Sequence, residues 1–148
     1  MIANFLIAAA LLADTLACHG SHRVCIGMFS IDAPCSYRIV QTISGVDTAS
    51  GYIEPSDRSW RVNWLTGMWE KMLNPTEHRR IVWKRTDTVG EARVAVGLVE
   101  EQGQRFYVVG DGWLQMRIPE SVTGGLGVLK GLYSKSEVRT GGRRCDSA

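Results

Sequence analysis

The chain has no hydrophobic run long enough to cross a membrane and no marked excess of charge of either sign. Its longest apolar run, residues 5–13, would rise only about 13–14 Å as a helix, whereas the hydrocarbon core of a bilayer is about 30 Å thick. Lys and Arg number 17 against 15 Asp and Glu, and the net charge of +2 is too small to indicate nucleic acid binding. We therefore predict neither a transmembrane span nor a nucleic acid partner.

Sequence signatures of catalysis are also missing. The three histidines are accompanied by no G-x-S-x-G nucleophile elbow and no H-E-x-x-H metalloprotease helix. Glu100 and Glu101 fall in a turn pattern, and Asp111 between two glycines indicates a hairpin rather than a catalytic acid. We predict no catalytic residue and no cofactor, with a small zinc-dependent or hydrolytic enzyme as an alternative.

The organisation of the chain is simple, with no internal repeat, heptad pattern, low-complexity block or interdomain linker. A length of 148 residues is enough for one hydrophobic core. Hydrophobic residues at 45% and charged residues at 22% are typical of a globular protein rather than a disordered one. We predict a signal peptide over residues 1–17, one β-rich domain over residues 18–133 and a polar, basic tail over residues 134–148.

The apolar run near the N-terminus has the length of the hydrophobic region of a secretory signal peptide. Thr15 and Ala17 are small residues that would permit cleavage before Cys18. The preceding residues carry no Lys or Arg, so the alternatives are a retained helix packed on the core or on a partner, and lipidation of Cys18. We predict export to the periplasm or the extracellular space, with a cytoplasmic or virion location as the alternative if the N-terminus is retained.

Four cysteines form an even set whose chemistry depends on the compartment. In an oxidising compartment we expect one disulfide among Cys18, Cys25 and Cys35 and a second to Cys145, and the sequence does not choose among the three possible connectivities. The alternatives are free thiols and a structural zinc site. The spacing of the zinc set matches no common zinc finger, and we predict no metal. That alternative zinc set is Cys18, His22, Cys25 and Cys35.

Patterns typical of β-strands follow one another through the body of the chain. Residues 92–99, 104–109 and 113–118 are joined by short turns containing glycine, which predicts an antiparallel meander. Residues 44–51 are typical of a loop, and the glycine-rich residues 122–133 are a candidate for a last strand. The other predicted strands span residues 23–29, 37–43, 60–64 and 80–85.

One helix is predicted in the body of the chain, over residues 65–73, and a proline follows it closely. Its apolar residues recur at helical spacing. Together with the N-terminal apolar segment as a signal or packed helix, these patterns predict a mainly β fold. The fold class is a small antiparallel β-barrel or sandwich with one short helix. The residues on the apolar face of the predicted helix are Leu65, Met68, Trp69, Met72 and Leu73.

Five tryptophans and an excess of Arg over Lys supply the candidate binding residues. Thirteen of the 17 basic residues are Arg, whose guanidinium favours bidentate pairing and stacking on aromatic rings. Trp rings can fill a core or anchor a partner, and we expect Trp60 and Trp69 to be the most exposed. The candidate binding residues are Trp60, Trp64, Trp69, Arg80, Trp83 and Trp113.

These patterns favour a non-enzymatic, exported binding or assembly protein. In this hypothesis the Trp and Arg side chains form a surface for a protein partner, and the chain is a component of a cell envelope or a virion. The alternative is a carrier for a small apolar ligand, with a β-barrel lumen lined by Trp64, Trp83, Phe106 and Trp113. An apolar ligand retained through purification would favour the carrier.

Overall fold

The computed structural model describes residues 18–45, 48–110 and 112–138, and these are mostly antiparallel strands. The predicted signal peptide, Cys145 and most of the predicted basic tail lie outside these ranges. The strands, in chain order, are β1 (Ser21–Ile26), β2 (Phe29–Pro34), β3 (Tyr37–Ser44), β4 (Thr48–Pro55), β5 (Val62–Gly67), β6 (Arg79–Val89), β7 (Ala92–Glu101), β8 (Gln104–Gly110), β9 (Leu114–Pro119) and β10 (Ser136–Val138). The helix, α1, spans Gly125–Ser134 and connects β9 to β10.

The strands form two sheets. The larger sheet has seven strands in the order β3-β4-β5-β9-β8-β7-β6, and the smaller sheet has three in the order β1-β2-β10. The mainly β fold is therefore confirmed. Of the two predicted architectures, a barrel or a sandwich, the closed barrel is wrong, because in the described ranges the edge strands β3 and β6 do not pair with each other.

The predicted three-strand antiparallel meander is confirmed, since β7, β8 and β9 pair in chain order, and β6 extends it by pairing with β7. The β7–β8 connection is a two-residue turn in which Gln102 and Gly103 both have positive φ, at 53° and 77°. Two consecutive positive φ angles are typical of a type I′ turn, whose twist matches that of the flanking strands. Local turn chemistry thus sets the register of this half of the large sheet.

The helix predicted over residues 65–73 is wrong. Leu65 lies in β5 and pairs with Ser50 and Gln115 on either side, and the chain then continues through turns rather than a helix. The apolar residues have helical spacing by coincidence, because they belong to two different elements. The first part is strand β5, which ends at Gly67, and the second is a segment whose Met72 and Leu73 pack over the sheet.

Helix α1 instead occupies the glycine-rich residues for which a last strand was expected. Leu129, Leu132 and Tyr133 are buried at i, i+3 and i+4 and attach the helix to the core. Two other boundaries differ from expectation. The loop predicted over residues 44–51 contains the start of β4, and the predicted tail contains β10, which pairs with β2.

The main core lies between the large sheet and a layer formed by the β1–β2 hairpin and α1. We call the sheet face that carries this core the inner face. Trp64, on β5, is completely buried there and sits over Gly51, where a Cβ atom would lie only 2.6 Å from the indole. Ile31 from the hairpin and Leu129 from α1 belong to the same cluster. The absence of a side chain at Gly51 therefore makes room for the largest residue of the core.

A second, smaller core covers part of the opposite, outer face of the large sheet. Met72 and Leu73 pack there against Val99, Phe106 and Val108. The segment that carries the first two residues, 68–78, has no regular helix or strand structure. Tertiary contacts therefore position this segment.

Candidate functional site

The structure places Trp60 and Trp64 in or beside the core. Trp64 is completely buried, so it cannot contact a partner as the sequence analysis suggested. Trp60 is half-buried and meets the ring of Tyr37 edge-on, with 5.1 Å between ring centroids. Trp60 was expected to be exposed and is only partly so, since its ring packs against the main core.

Trp83 and Arg80 lie on β6, and both have partners within the chain. Trp83 is half-buried, and the guanidinium of Arg85 lies 4.7 Å from its ring centroid. Arg80 is exposed and pairs with Glu100 at 3.0 Å. The expected stacking of Arg on aromatic rings is present, but it occurs within the chain rather than on a free surface.

The barrel lumen proposed for an apolar ligand is not present in the described residues. Trp64 belongs to the main core on the inner face, whereas Phe106 belongs to the small core on the outer face. Trp113 is more than half exposed. These side chains therefore do not surround a common cavity, and the carrier hypothesis loses its structural basis.

Trp69 and Trp113 come together at one end of the large sheet. The indole N–H of Trp69 donates to the carbonyl of Ala49 at 3.2 Å, and Gly67 N–H donates to the carbonyl of Trp113 at 2.8 Å. Trp69 is half-buried by this contact, whereas Met68 beside it is 75% exposed and Trp113 is 51% exposed. A tryptophan and a methionine are thus both exposed where the backbone of Gly67 meets that of Trp113.

All large apolar side chains that are exposed in the described ranges lie at this same end of the molecule. Antiparallel pairing brings together the end of β3, the end of β5 and the start of β9. Ile43 lies in β3, Met68 directly follows β5 and Trp113 directly precedes β9. Contiguous exposed apolar side chains are typical of binding surfaces, whereas single ones are not informative. We call this surface the apolar end; its members are Met28, Ile43, Met68, Trp113 and Val138.

The β1–β2 turn reaches the apolar end because of Gly27. This residue has φ of 59°, and a Cβ atom on it would lie 2.0 Å from the hydroxyl of Thr66 and 3.2 Å from the side chain of Ala49. Only glycine allows the turn to pack so closely on β4 and β5. Met28 follows in the turn, and Val138 joins it because β10 pairs Val138 with Phe29.

A disulfide joins Cys18 to Cys35, with 5.9 Å between their Cα atoms. One bridge within the N-terminal group was expected, and this bridge is present. Cys25 is also disulfide-bonded. Cys145 lies outside the described residues, so its bridge to the N-terminal group stays a prediction.

The alternative zinc set does not fit this oxidised arrangement. Ligand atoms of Cys18, His22 and Cys35 lie within 4.8 Å of one another, but both sulfurs are consumed by the disulfide. Cys25 pairs with Ser30 further along the hairpin and is not part of this cluster. Zinc binds thiolates, so these residues do not fit a zinc site in the oxidised protein.

One carboxylate in the described ranges is surrounded by arginines. Glu54 on β4 is only 3% exposed and lies within 3.8 Å of three guanidinium groups, those of Arg38, Arg58 and Arg61. Burial by itself raises the pKa of Glu54, but the hydrogen bond from Arg61 and the three positive charges outweigh burial and hold that pKa below its ordinary value. Arg61 also lies 3.8 Å from the ring centroid of Tyr52. These contacts hold the arginine side chains on the outer face of β4, and they keep Glu54 ionised at neutral pH, so that it does not donate a proton.

Sequence analysis missed four of the five residues of the apolar end. Met28 was placed within a strand, Met68 on the apolar face of a helix and Val138 in the polar tail. Ile43 was expected in a strand and lies in β3, at the edge of the sheet, where residues 41–45 are all exposed and a bulge separates Gln41 from Ile43. Turn and edge positions of this kind are set by pairing between distant strands, so no local pattern identifies them.

The chain matches no protein-family model, and no curated protein matches its sequence significantly. In the part of the chain that the structure describes, no helix has the length and apolar character needed to span a membrane.

Proposed function

We propose that the protein is a non-enzymatic, exported binding module that holds a protein partner at its apolar end. The observation that carries this proposal is that strand pairing and the β1–β2 turn place the exposed side chains at one end of the molecule, and these are Met28, Ile43, Met68, Trp113 and Val138. Burying such side chains against a partner removes apolar surface from water, at about 25 cal/mol per Å². The partner surface would present Leu, Ile, Val or aromatic side chains.

The composition of the apolar end suits protein recognition. Methionine is flexible and polarizable, so Met28 and Met68 can adapt to the shape of a partner. Trp113 offers a large rigid ring of the type that dominates binding energy at interfaces. Ile43 in β3 and Val138 in β10 are held by antiparallel pairing, which lowers the ordering cost of association for that part of the apolar end.

Export is supported by the Cys18–Cys35 disulfide, because such bonds persist mainly in oxidising compartments. The proposal includes removal of residues 1–17 before Cys18. Intact mass of the mature protein under non-reducing conditions tests both points, since it reports the cleavage site and the loss of about two hydrogens per disulfide. A full-length chain with four alkylatable thiols in cells would contradict export.

Site-specific photocrosslinking in the source cells tests the binding surface. A benzophenone amino acid placed at Ile43 or Met68 is expected to capture one defined protein, whereas the same probe at Arg80 is expected to capture none. Arg80 is a suitable control because it is exposed, lies at the opposite end of the sheet and was itself a sequence-based candidate. Capture at Arg80 alone, or only of a second copy of this chain, would overturn the proposal.

Binding measurements with the captured partner give the second test. Met68→Ser and Trp113→Ala are each expected to weaken binding at least about tenfold, because anchors of this type carry most of the binding energy. Arg80→Ala is expected to change affinity less than about twofold. Unchanged affinity in both apolar-end variants, with far-UV circular dichroism intact, would show that the partner binds elsewhere.

A further inference from the structure

A cleft on the outer face of the large sheet is lined by three cationic side chains. It lies between the segment 68–74 and strands β6–β9. Lys71 comes from the segment, Lys84 from β6 and Arg93 from β7. None of the described lining residues is acidic, and Asp111, which follows the lining residue Gly110 in sequence, is outside the described ranges. We call this site the cationic cleft and define it by Lys71, Lys84 and Arg93.

These three cations differ from most others in the protein because they lack carboxylate partners among the described residues. Ten described Lys and Arg side chains form ion pairs with Asp or Glu. Only Lys71, Lys84, Arg93 and Lys135 do not, and three of these four line one cleft. Like charges grouped without counter-charges repel one another, so a bound anion would relieve that repulsion.

The cleft is built by specific packing and not by chance exposure of flexible side chains. The Gln115 side chain bonds the backbone on both sides of Lys71, accepting from Met72 N–H and donating to the carbonyl of Glu70 at 3.3 Å. Gln115 itself is 3% exposed. The segment that carries Lys71 is therefore fixed over β9, and its lysine faces the cations of β6 and β7.

The floor of the cleft is open to a ligand because its residues are small. Gly110 and Ala95 line it, and a Cβ atom on Gly110 would lie 2.7 Å from the carbonyl of Leu114, so a larger residue does not fit there. Thr86 adds a hydroxyl group that can donate a hydrogen bond. A cleft of about 270 Å³ is near the lower limit for small-molecule sites.

We propose that the cationic cleft binds a small molecule that carries a phosphate group. A phosphate dianion matches the site because its oxygens can accept from the planar guanidinium of Arg93 while two ammonium groups neutralise the charge. A single carboxylate would leave two of the three cations without a counter-charge. This site is separate from the partner surface proposed above, and neither proposal requires the other.

Inorganic pyrophosphate is the probe for the first test, titrated at low ionic strength into the full-length isotope-labelled protein. Saturable NMR shifts are expected for the amides of Lys71, Thr86 and Gly112, and added salt is expected to weaken binding because it screens charge. Lys71→Gln, Lys84→Gln and Arg93→Gln should each weaken pyrophosphate about tenfold, since each removes one charge-assisted contact. All three side chains are exposed or border solvent, so the variants are expected to fold.

Lys135→Gln is the matched control, because Lys135 also lacks a described carboxylate partner but lies outside the cleft. Its affinity for pyrophosphate is expected to be unchanged. Linear shifts without saturation, or equal weakening by Lys135→Gln, would overturn the proposal because general charge attraction would then explain binding. A second experiment measures binding of the protein to phosphatidic acid vesicles. Vesicle binding that is competed away by pyrophosphate would assign the phosphate to a lipid headgroup. Absence of binding both to pyrophosphate and to the vesicles would refute the site.

Discussion

Replacement of Gln115 by alanine is the sharpest test of how the outer face is built. The Gln115 side chain is buried on β9 and ties the backbone of residues 70–72 to the sheet through two hydrogen bonds. In Gln115→Ala, the N–H of Met72 loses its partner in a buried position, which costs about 1–3 kcal/mol. The lost bond to the carbonyl of Glu70 adds about 0.5–1.5 kcal/mol, because that group can turn to water.

The expected loss is therefore about 1.5–4.5 kcal/mol in the free energy of unfolding, measured by urea denaturation. Gln104→Ala is the matched control, because Gln104 is an exposed glutamine on β8, and its loss should stay within about 0.5 kcal/mol. Hydrogen exchange supplies a local readout, since the amide of Met72 should lose protection in Gln115→Ala only. Equal stability of the two variants, with the Met72 amide still protected, would refute this account of the segment.

Three further predictions concern other parts of the fold. Because the pKa of Glu54 is lowered in the folded state, ionised Glu54 stabilises the fold above its unfolded pKa, and this stability is lost as pH falls through the folded pKa. In Glu54→Gln, the free energy of unfolding measured by urea titration should therefore fall less steeply with decreasing pH. Removing the Cys18–Cys35 disulfide by serine substitution should lower the free energy of unfolding by about 3 kcal/mol, and an unchanged urea midpoint would contradict its structural role. Gly27→Ala should cost more than Gly103→Ala in thermal unfolding, because both have positive φ but only the Cβ at Gly27 would overlap a β5 side chain.

Sequence patterns predicted the parts of the fold that local chemistry controls. The meander of β7–β9 follows from strand-forming runs and from the two-residue turn at Gln102 and Gly103, where both φ angles are positive. The helix over residues 65–73 failed because apolar spacing alone does not show which surface each residue meets. Leu65 lies in the sheet and Met68 is exposed to solvent, although both would lie on one face of an ideal helix.

The candidate surfaces were less predictable, because they arise from contacts between distant parts of the chain. Trp64 and Trp113 are the same residue type, yet Trp64 fills the core over Gly51 and Trp113 is exposed just before β9. Lys71 and Lys84 are distant in sequence and line one cleft because tertiary contacts, among them the hydrogen bonds of Gln115, hold the segment 68–78 over the sheet. A single sequence contains no local signal for such pairs.

The segment 68–78 links the two proposed binding surfaces, and side chains rather than a strand ladder hold it. Arg79 donates to the carbonyls of Lys71 and Asn74 at 3.0 and 3.3 Å, and Gln115 bonds the backbone on both sides of Lys71. Met68, near the start of the segment, belongs to the apolar end, whereas Lys71 belongs to the cationic cleft. Loss of Gln115 should therefore disturb both surfaces, whereas Met68→Ser and Lys71→Gln should each disturb only one, because neither side chain holds the segment in place.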